Sequence, residues 1–307
     1  MNIQRLIEKI KLPKEIRDKV PPFSDDFWEN LDEKYYEYFL TLYYEFIVKQ
    51  SCNLKKPKKF TEKIQWLKLY DSTPIKTKLT DKVLVRDWVK EKIGEEYLKK
   101  VFCVADKFDD INFESLPNSF FIKTNHASGY YYKIKDKAKF LKVEKLFNLI
   151  KQNLEKKLNI NFYTQAGLEL QYKNIIPKLL IEENLFPNED EFPIEYQIFC
   201  FNGVPKIYQK FNCTKFPTTT IYNQDYSIAQ FSFDSRYRCI DEEAPESLKK
   251  AVELSKKLSQ DFKLVRVDWL YAKEKLYFNE MTFTPYSGFY MFENQKWDYE
   301  IGKLLKL

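Results

Sequence analysis

Six glycines in 307 residues leave this chain few places where the backbone can turn left-handed or press close to a ligand. The usual share is ~7%. Neither G-x-x-x-x-G-K-[ST] nor G-x-G-x-x-G occurs, which argues against a phosphate loop or a dinucleotide fingerprint. A hydrophobic content of 44% with 17% aromatics excludes a disordered chain. No run approaches the ~18 apolar residues of a membrane span. A chain of this length is expected to form about two domains.

The formal charge of +6 says less than it suggests, because only Arg5, Arg17, Arg86, Arg236, Arg238 and Arg266 are arginines and the lysines are scattered among acids. Nucleic-acid binders cluster their cations and favour arginine forks, so a solvated lysine-rich surface is expected, with no nucleic-acid partner. The run Lys55–Lys59 reads as an exposed basic linker, with at most peripheral contact with a membrane. Five cysteines without a C-x-x-C pair fit reduced thiols. His126 is the only histidine, which removes every multi-histidine metal site. The first residues lack an apolar signal core, so a cytoplasmic location is expected, with any membrane contact at its inner face.

Periodicity predicts helices over Met1–Ile10 and Asp25–Lys49, a linker over Asn53–Lys59, and short helices from Thr61 to Gly94. Strands are predicted at Ser119–Thr124, Tyr130–Lys135, Lys178–Glu183, Glu195–Phe201 and Val204–Phe211. The last two are joined by Asn202-Gly203, a strong hairpin signal. An amphipathic helix over Pro245–Phe262 precedes two closing strands, Leu264–Leu270 and Lys275–Met281. The pattern is that of an α+β protein of two packed units.

Three segments can carry chemistry. In the closing hairpin, Arg266 and Asp268 share one strand face, and a turn centred near residue 274 sets Asp268 opposite Glu280. Two carboxylates and the Thr282 oxygen make a hard donor set suited to Mg²⁺, with Arg266 placed to stabilise a phosphoryl group or an anionic substrate. The same spacing equally allows a structural Arg266–Asp268 or Arg266–Glu280 pair. In Phe120–Gly129, Lys123 ends an apolar strand before a small-residue turn, which can surround a phosphate or be an ordinary loop. In Leu179–Leu185, strand-end backbone can read an adenine edge while Glu182 or Glu183 takes ribose hydroxyls; solvated acids at a strand end are the alternative.

In order and spacing these segments resemble ATP-grasp enzymes, in which Mg-ATP lies between two α+β subdomains. The closer likeness is to the TupA-like (teichuronopeptide-biosynthesis) branch, met in capsule and cell-wall polysaccharide gene clusters. It is carried by Phe60–Asp71, Thr80-Asp81-Lys82 with Val85-Arg86, Lys92–Leu98, Phe199–Gly203, Val265–Asp268, and Thr282–Pro285 with Ser287-Gly288. It covers about residues 60 to 307. The resemblance implies a helical extension over 1–59, an N-terminal part over 60–118, a lid subdomain over 119–185 and a C-terminal subdomain over 186–307. It implies that Lys123 contacts ATP phosphates under a lid loop at 125–129, where His126, Ser128 and Gly129 stand. His126 can contact phosphate or merely cap the turn. Glu182, Glu183 and Leu185 would hold adenine and ribose, Asp268, Glu280 and Thr282 the magnesium, and Arg266 the acyl phosphate or substrate.

Ala127, Tyr130, Asn279 and Tyr286 stand where the family favours glycine, and Gln197 replaces a frequent lysine. A side chain at a position needing positive φ is expected to weaken ATP binding or redirect the loop. The implied activity is a carboxylate–amine ligase acting through an acyl phosphate. Its partners would be an amine and a small-molecule carboxylate, a hexuronic acid or an acidic amino acid. A polysaccharide-cluster glycosyltransferase and a non-catalytic ATP-grasp-like scaffold are the alternatives. No D-x-D motif supports the glycosyltransferase.

Overall fold

The computed structural model describes residues 24–165, 167–186, 192–233 and 237–307. The helix predicted over Met1–Ile10 lies outside these residues.

Among the described residues five α-helices come first: α1 (Asp25–Glu29), α2 (Tyr36–Val48), α3 (Phe60–Tyr70), α4 (Pro74–Thr80) and α5 (Val85–Ile93). The single helix predicted over Asp25–Lys49 is broken because the Asp32 side chain accepts from the Lys34 amide and starts a separate 3-10 turn. On α2, Tyr36, Phe39 and Leu40 are buried with Phe27, Trp28 and Tyr163, and Tyr44 is buried with its hydroxyl on Thr61, whereas Tyr38 and Phe46 are exposed.

Strands β1 (Val101–Ala105), β2 (Phe120–Thr124) and β3 (Tyr131–Ile134) are followed by α6 (Lys137–Lys142), α7 (Glu144–Leu158), α8 (Phe162–Gln165) and β4 (Leu179–Glu183). They form an antiparallel sheet in the order β1-β4-β2-β3. Phe120 and Ile122 on β2 and Leu179 and Ile181 on β4 pack with Ile150 and Leu154 of α7, so alternation on the strands meets the apolar stripe of the helix. Residues 101–105 join this sheet ahead of the boundary expected at 119. Nothing local marks so short a run as a strand; the open edge of β4 recruits it.

The second sheet has the order β10-β9-β5-β6-β7-β8, from β5 (Ile194–Phe201), β6 (Val204–Asn212), β7 (Thr218–Asn223), β8 (Arg238–Cys239), β9 (Leu264–Ala272) and β10 (Lys275–Thr282). Helix α9 (Glu246–Ser259) covers one face through Leu248, Ala251, Leu254 and Leu258 against Ile198, Val265, Val267 and Trp269. Helices α3–α5 and the closing helix α10 (Lys296–Leu304) pack on this body. Residues 60–93 thus lie with the C-terminal sheet in space.

The hairpin β9–β10 decides the site. Its two-residue turn, Lys273-Glu274, has both residues left-handed (φ 51° and 58°), as a tight hairpin requires. Such a turn alone would set Asn279 opposite Asp268. A bulge between Phe278 and Glu280 adds one residue and brings Glu280 opposite Asp268 instead.

A lysine and a glutamate pay a left-handed penalty of ~1–2 kcal/mol each at that turn. Replacing Lys273-Glu274 by Asn-Gly is expected to raise unfolding stability by about 1–2 kcal/mol in urea titration. An unchanged midpoint would mean that the turn is not strained.

Candidate functional site

The two sheets face each other across a cleft of about 720 Å³. From β2 and β4 come Lys123 and Glu182; from β9 and β10 come Arg266, Asp268 and Glu280. Ser128, Gly129, Glu183 and Leu185 also line the cleft, so the structure brings most of the residues expected from sequence together.

On the four-stranded side, the Lys123 ammonium donates to Glu182 Oε1 at 2.6 Å, and the Lys99 ammonium reaches the same oxygen at 2.9 Å. Burial disfavours charge on Glu182, but Lys99 and Lys123 overcome it and hold the carboxyl at about 2. Burial, and then the Lys99 ammonium beside it, push Lys123 down to about 7 despite Glu182. One carboxylate therefore serves two buried lysines, and an anion entering the cleft would favour the charged form of Lys123. Glu182 is committed to these lysines and holds them in place. Glu183 accepts from the Lys100 amide at 2.8 Å while still lining the cleft.

On the floor, Arg266 and Asp268 form a two-pronged pair, with Nε to Oδ1 at 2.7 Å and Nη2 to Oδ2 at 2.6 Å. Arg266 Nη2 is also 3.6 Å from Glu280 Oε1, and Lys82 Nζ is 3.6 Å from Glu280 Oε2. Although burial opposes its charge, Lys82, Arg266 and Lys123 hold the Glu280 carboxyl below the usual range. Thr282 donates to Glu280 Oε1 at 3.2 Å and accepts from Arg266 at 3.4 Å; it sits beneath Glu280 and is not among the lining residues. The structural ion pair that the spacing also allowed is thus present, beside a Glu280 with no direct salt-bridge contact shorter than 3.6 Å. Asp268 and Glu280, register partners on one face, are hard oxygen donors of the kind magnesium takes. Glu280 is the available donor; both Asp268 oxygens are held by Arg266 and burial pushes the Asp268 carboxyl up, so an ion would share Asp268 with the guanidinium. Among the described residues no group of three or more His, Cys, Asp or Glu could hold a metal.

His126 is not brought to the cleft. It is buried, its Nε2 stands 3.3 Å from the Ile160 carbonyl, and burial lowers its pKa. The lid loop is pinned from beneath: the Asn125 amide donates to Asp81 at 2.9 Å and to the Ile176 carbonyl at 3.0 Å. Its side-chain oxygen accepts from the Lys178 amide at 2.7 Å. Within this loop only Gly129 has positive φ (76°), so Ala127 and Tyr130 impose no left-handed strain and the expected redirection does not arise there. Tyr130 turns toward Phe162, Lys157 and Gln165. Tyr286 and Ser287, by contrast, do adopt φ of 49° and 52°.

Sequence reasoning missed Lys82 and Lys99, which join the two walls. Lys82 donates to the Ala127 carbonyl at 2.7 Å while facing Glu280, and Lys99 donates to Asn279 Oδ1 at 3.0 Å while holding Glu182. Lys82 lies within one of the family-like stretches, which was the available signal. Lys99 directly follows another.

With a folded pKa of about 2 against ~4.3 unfolded, Glu182 stabilises the protein above pH ~4.3 and loses that contribution as pH falls toward 2. Glu182→Gln leaves two buried ammoniums without a counter-ion and is expected to cost about 3–5 kcal/mol at pH 7. The gap to wild type should shrink below pH 4. Equal urea midpoints at pH 7 would remove Glu182 from this role.

No curated protein sequence matches the chain. Among solved structures, it is similar to a D-alanine–D-alanine ligase from Bacillus anthracis complexed with ATP, at 14% identity and a TM-score of 0.38 over 67% of this chain and 54% of that one. The Helicobacter pylori D-alanine–D-alanine ligase gives 16%, 0.39, 74% and 61%. The biotin carboxylase domain of Hydrogenobacter thermophilus 2-oxoglutarate carboxylase, in complex with MgADP and bicarbonate, gives 13%, 0.38, 75% and 46%. The chain spans between 46% and 61% of the length of these three. The family model for TupA-like ATP-grasp proteins matches residues 62–306, some four fifths of the sequence. The chain therefore belongs to the TupA-like ATP-grasp family, and its facing sheets are the two α+β halves of that fold.

Proposed function

We propose that this protein is an ATP- and magnesium-dependent ligase that joins a small-molecule carboxylate to an amine, through an acyl phosphate. The observation that carries the reading is the unbalanced lysine pair: two buried ammoniums on one carboxylate, aimed into a cleft whose opposite floor holds Arg266, Asp268 and Glu280. A triphosphate supplies the missing negative charge. Lys123 and Lys99 would bind its phosphates, Leu185 and the backbone after β4 would face the adenine, and Ser128 and Gly129 would close over the phosphates. Asp268 and Glu280 are the residues that would hold magnesium, which when bound neutralises phosphate charge and orients the transferring group.

The chain's own part is positioning and charge. Arg266, fixed by both Asp268 oxygens, holds a carboxylate substrate or the developing phosphoryl charge in one place. The carboxylate oxygen attacks the γ-phosphorus as ADP leaves, and the amine nitrogen then attacks the acyl carbon as phosphate leaves. No protein nucleophile is required. A hexuronic acid or an acidic amino acid in surface-polysaccharide assembly is our proposed carboxylate; it rests on the family resemblance alone. Among the described residues no helix is long and apolar enough to cross a membrane.

Calorimetric titration with Mg²⁺ and a non-hydrolysable ATP analogue tests the reading. Magnesium-dependent binding that is lost in Glu280→Gln is expected; absence of any binding to wild type would sink it. A second expectation concerns pH. Lys123 titrates at about 7, so a bound polyphosphate recharges it and binding takes up a proton at pH 8. Affinity should fall as pH rises from 7 to 9, with apparent heats differing between HEPES and Tris. Lys123→Met should weaken binding about tenfold to hundredfold and abolish that slope. A wild-type affinity flat across this range would exclude Lys123 as a phosphate ligand.

A further inference from the structure

One wall of the cleft carries hydrogen-bonding capacity that the nucleotide reading does not use. Gln197 on β5 lines the cleft at 7% exposure, and its Oε1 has no hydrogen-bond partner. Its amide nitrogen donates to Glu195 Oε1 at 2.8 Å, which fixes the amide so that the oxygen is the unspent atom. Gln197 is the register partner of Asp268 on one side and of Gln209 on the other. Gln209 is fully buried and repeats the arrangement: its nitrogen donates to Thr219 Oγ1 at 3.0 Å, that hydroxyl donates onward to the Lys210 carbonyl, and Gln209 Oε1 has no partner. Adjacent strands thus present two unpartnered carbonyl oxygens on one face. Glu195 and Asp268 flank the first of them and Glu280 lies one strand beyond.

The cleft is unevenly charged. Lys123, Lys133 and Lys135 line it on the four-stranded side together with Glu182 and Glu183, whereas Glu195, Asp268 and Glu280 line it from the six-stranded sheet together with Arg266, which Asp268 holds. An anion is drawn to the first wall. At its Glu195–Gln197 end the second wall offers acceptors, with the Arg266 guanidinium taken up by Asp268, and a buried acceptor without a donor leaves its desolvation unrecovered until a ligand supplies N–H or O–H groups.

We propose that the corner formed by Glu195, Gln197 and Asp268 receives a primary ammonium, and that this is where the amine substrate docks. The ammonium would donate to Gln197 Oε1 and the Glu195 carboxylate; Asp268, both of whose oxygens are held by Arg266, closes the corner without adding a free charge. A three-donor cation suits such a corner better than a neutral sugar hydroxyl, because the Glu195 carboxylate lines the cleft beside Gln197. The substitution of glutamine for lysine at 197 acquires a reason here: a lysine would fill this corner with its own ammonium. The identity of the ligand as the amine substrate rests on the ligase reading; the binding itself does not.

The test is a thermal-shift and calorimetric titration of the full chain with ethylammonium and glucosamine. Tetraethylammonium and N-acetylglucosamine are the matched controls at constant ionic strength, and the ATP analogue with Mg²⁺ is titrated in parallel. Both primary ammoniums should bind and both controls should not, and Glu195→Gln should weaken the ammoniums about tenfold. Gln197→Lys should raise the thermal midpoint and exclude the probes, since its own ammonium occupies the corner. Equal binding of N-acetylglucosamine, or a lowered midpoint in Gln197→Lys, overturns the proposal. If the ATP analogue binds and the ammoniums do not, this subsite falls and the ligase reading stands. If the ammoniums bind and the ATP analogue does not, the subsite stands and the ligase reading falls.

Discussion

A single carboxylate shared by two buried ammoniums sets the terms for the rest of this molecule. Glu182 cannot neutralise both Lys99 and Lys123, and a buried charge with half a counter-ion is tolerated only where surrounding packing is strong. That packing comes from the cores under each sheet, which are separate and independently dense. The lysines also determine how the halves face each other. Lys99 reaches across to Asn279 and Lys82 reaches from the lid-loop carbonyl of Ala127 toward Glu280, so each wall is tied to the other through charges that a ligand would also touch. Cleft geometry and cleft electrostatics are in this sense one property.

The closing hairpin shows how far the sequence could be read. Alternation put Arg266 and Asp268 on one face, and Glu280 does stand opposite Asp268. Spacing alone predicts that pairing with a turn centred near 274, whereas the tight turn is at 273–274 and a bulge at Asn279 supplies the extra residue. A bulge leaves no periodic trace when an asparagine occupies it. Lys82 and Lys99 were passed over for another reason: among 51 basic residues a single lysine has no pattern of its own, and apart from the family-like stretches at or beside them only the fold reveals which ammonium crosses between sheets. Strand β1 was missed because five residues are too few to show an alternation, and strand β7 because its threonines break the apolar run; both become strands through their neighbours.

Glycine scarcity also looked more restrictive in sequence than it is in structure. The lid loop obtains its path from the fully bonded Asn125 amide and from Gly129 alone, so residues 127 and 130 are free to carry side chains. Tyr130 uses that freedom to pack outward on Phe162 under the Lys157 ammonium. The strain falls elsewhere, at Tyr286 and Ser287, where left-handed residues cost ~1–2 kcal/mol each. Their segment lies beside the cleft floor, with the Tyr286 ring 5.7 Å from the Arg266 guanidinium and 4.8 Å from the Tyr290 ring. Backbone strain is thus held next to a buried cation that lines the cleft.

With the only histidine spent on the Ile160 carbonyl, imidazole chemistry is not on offer in this cleft. What remains is ammonium, guanidinium and carboxylate, with lysines gathered round Glu182 on one wall and Arg266 held among Asp268 and Glu280 on the other. Such a site is poor at making a protein nucleophile and good at holding opposite charges at fixed separation. A reaction in which phosphoryl charge develops against one wall, while an amine approaches from the other, draws on both properties. It needs the walls to be bridged, which Lys82 and Lys99 do, and it needs the cations to remain partly unsatisfied until a ligand arrives. The same imbalance that lowers the Lys123 pKa therefore makes the cleft receptive.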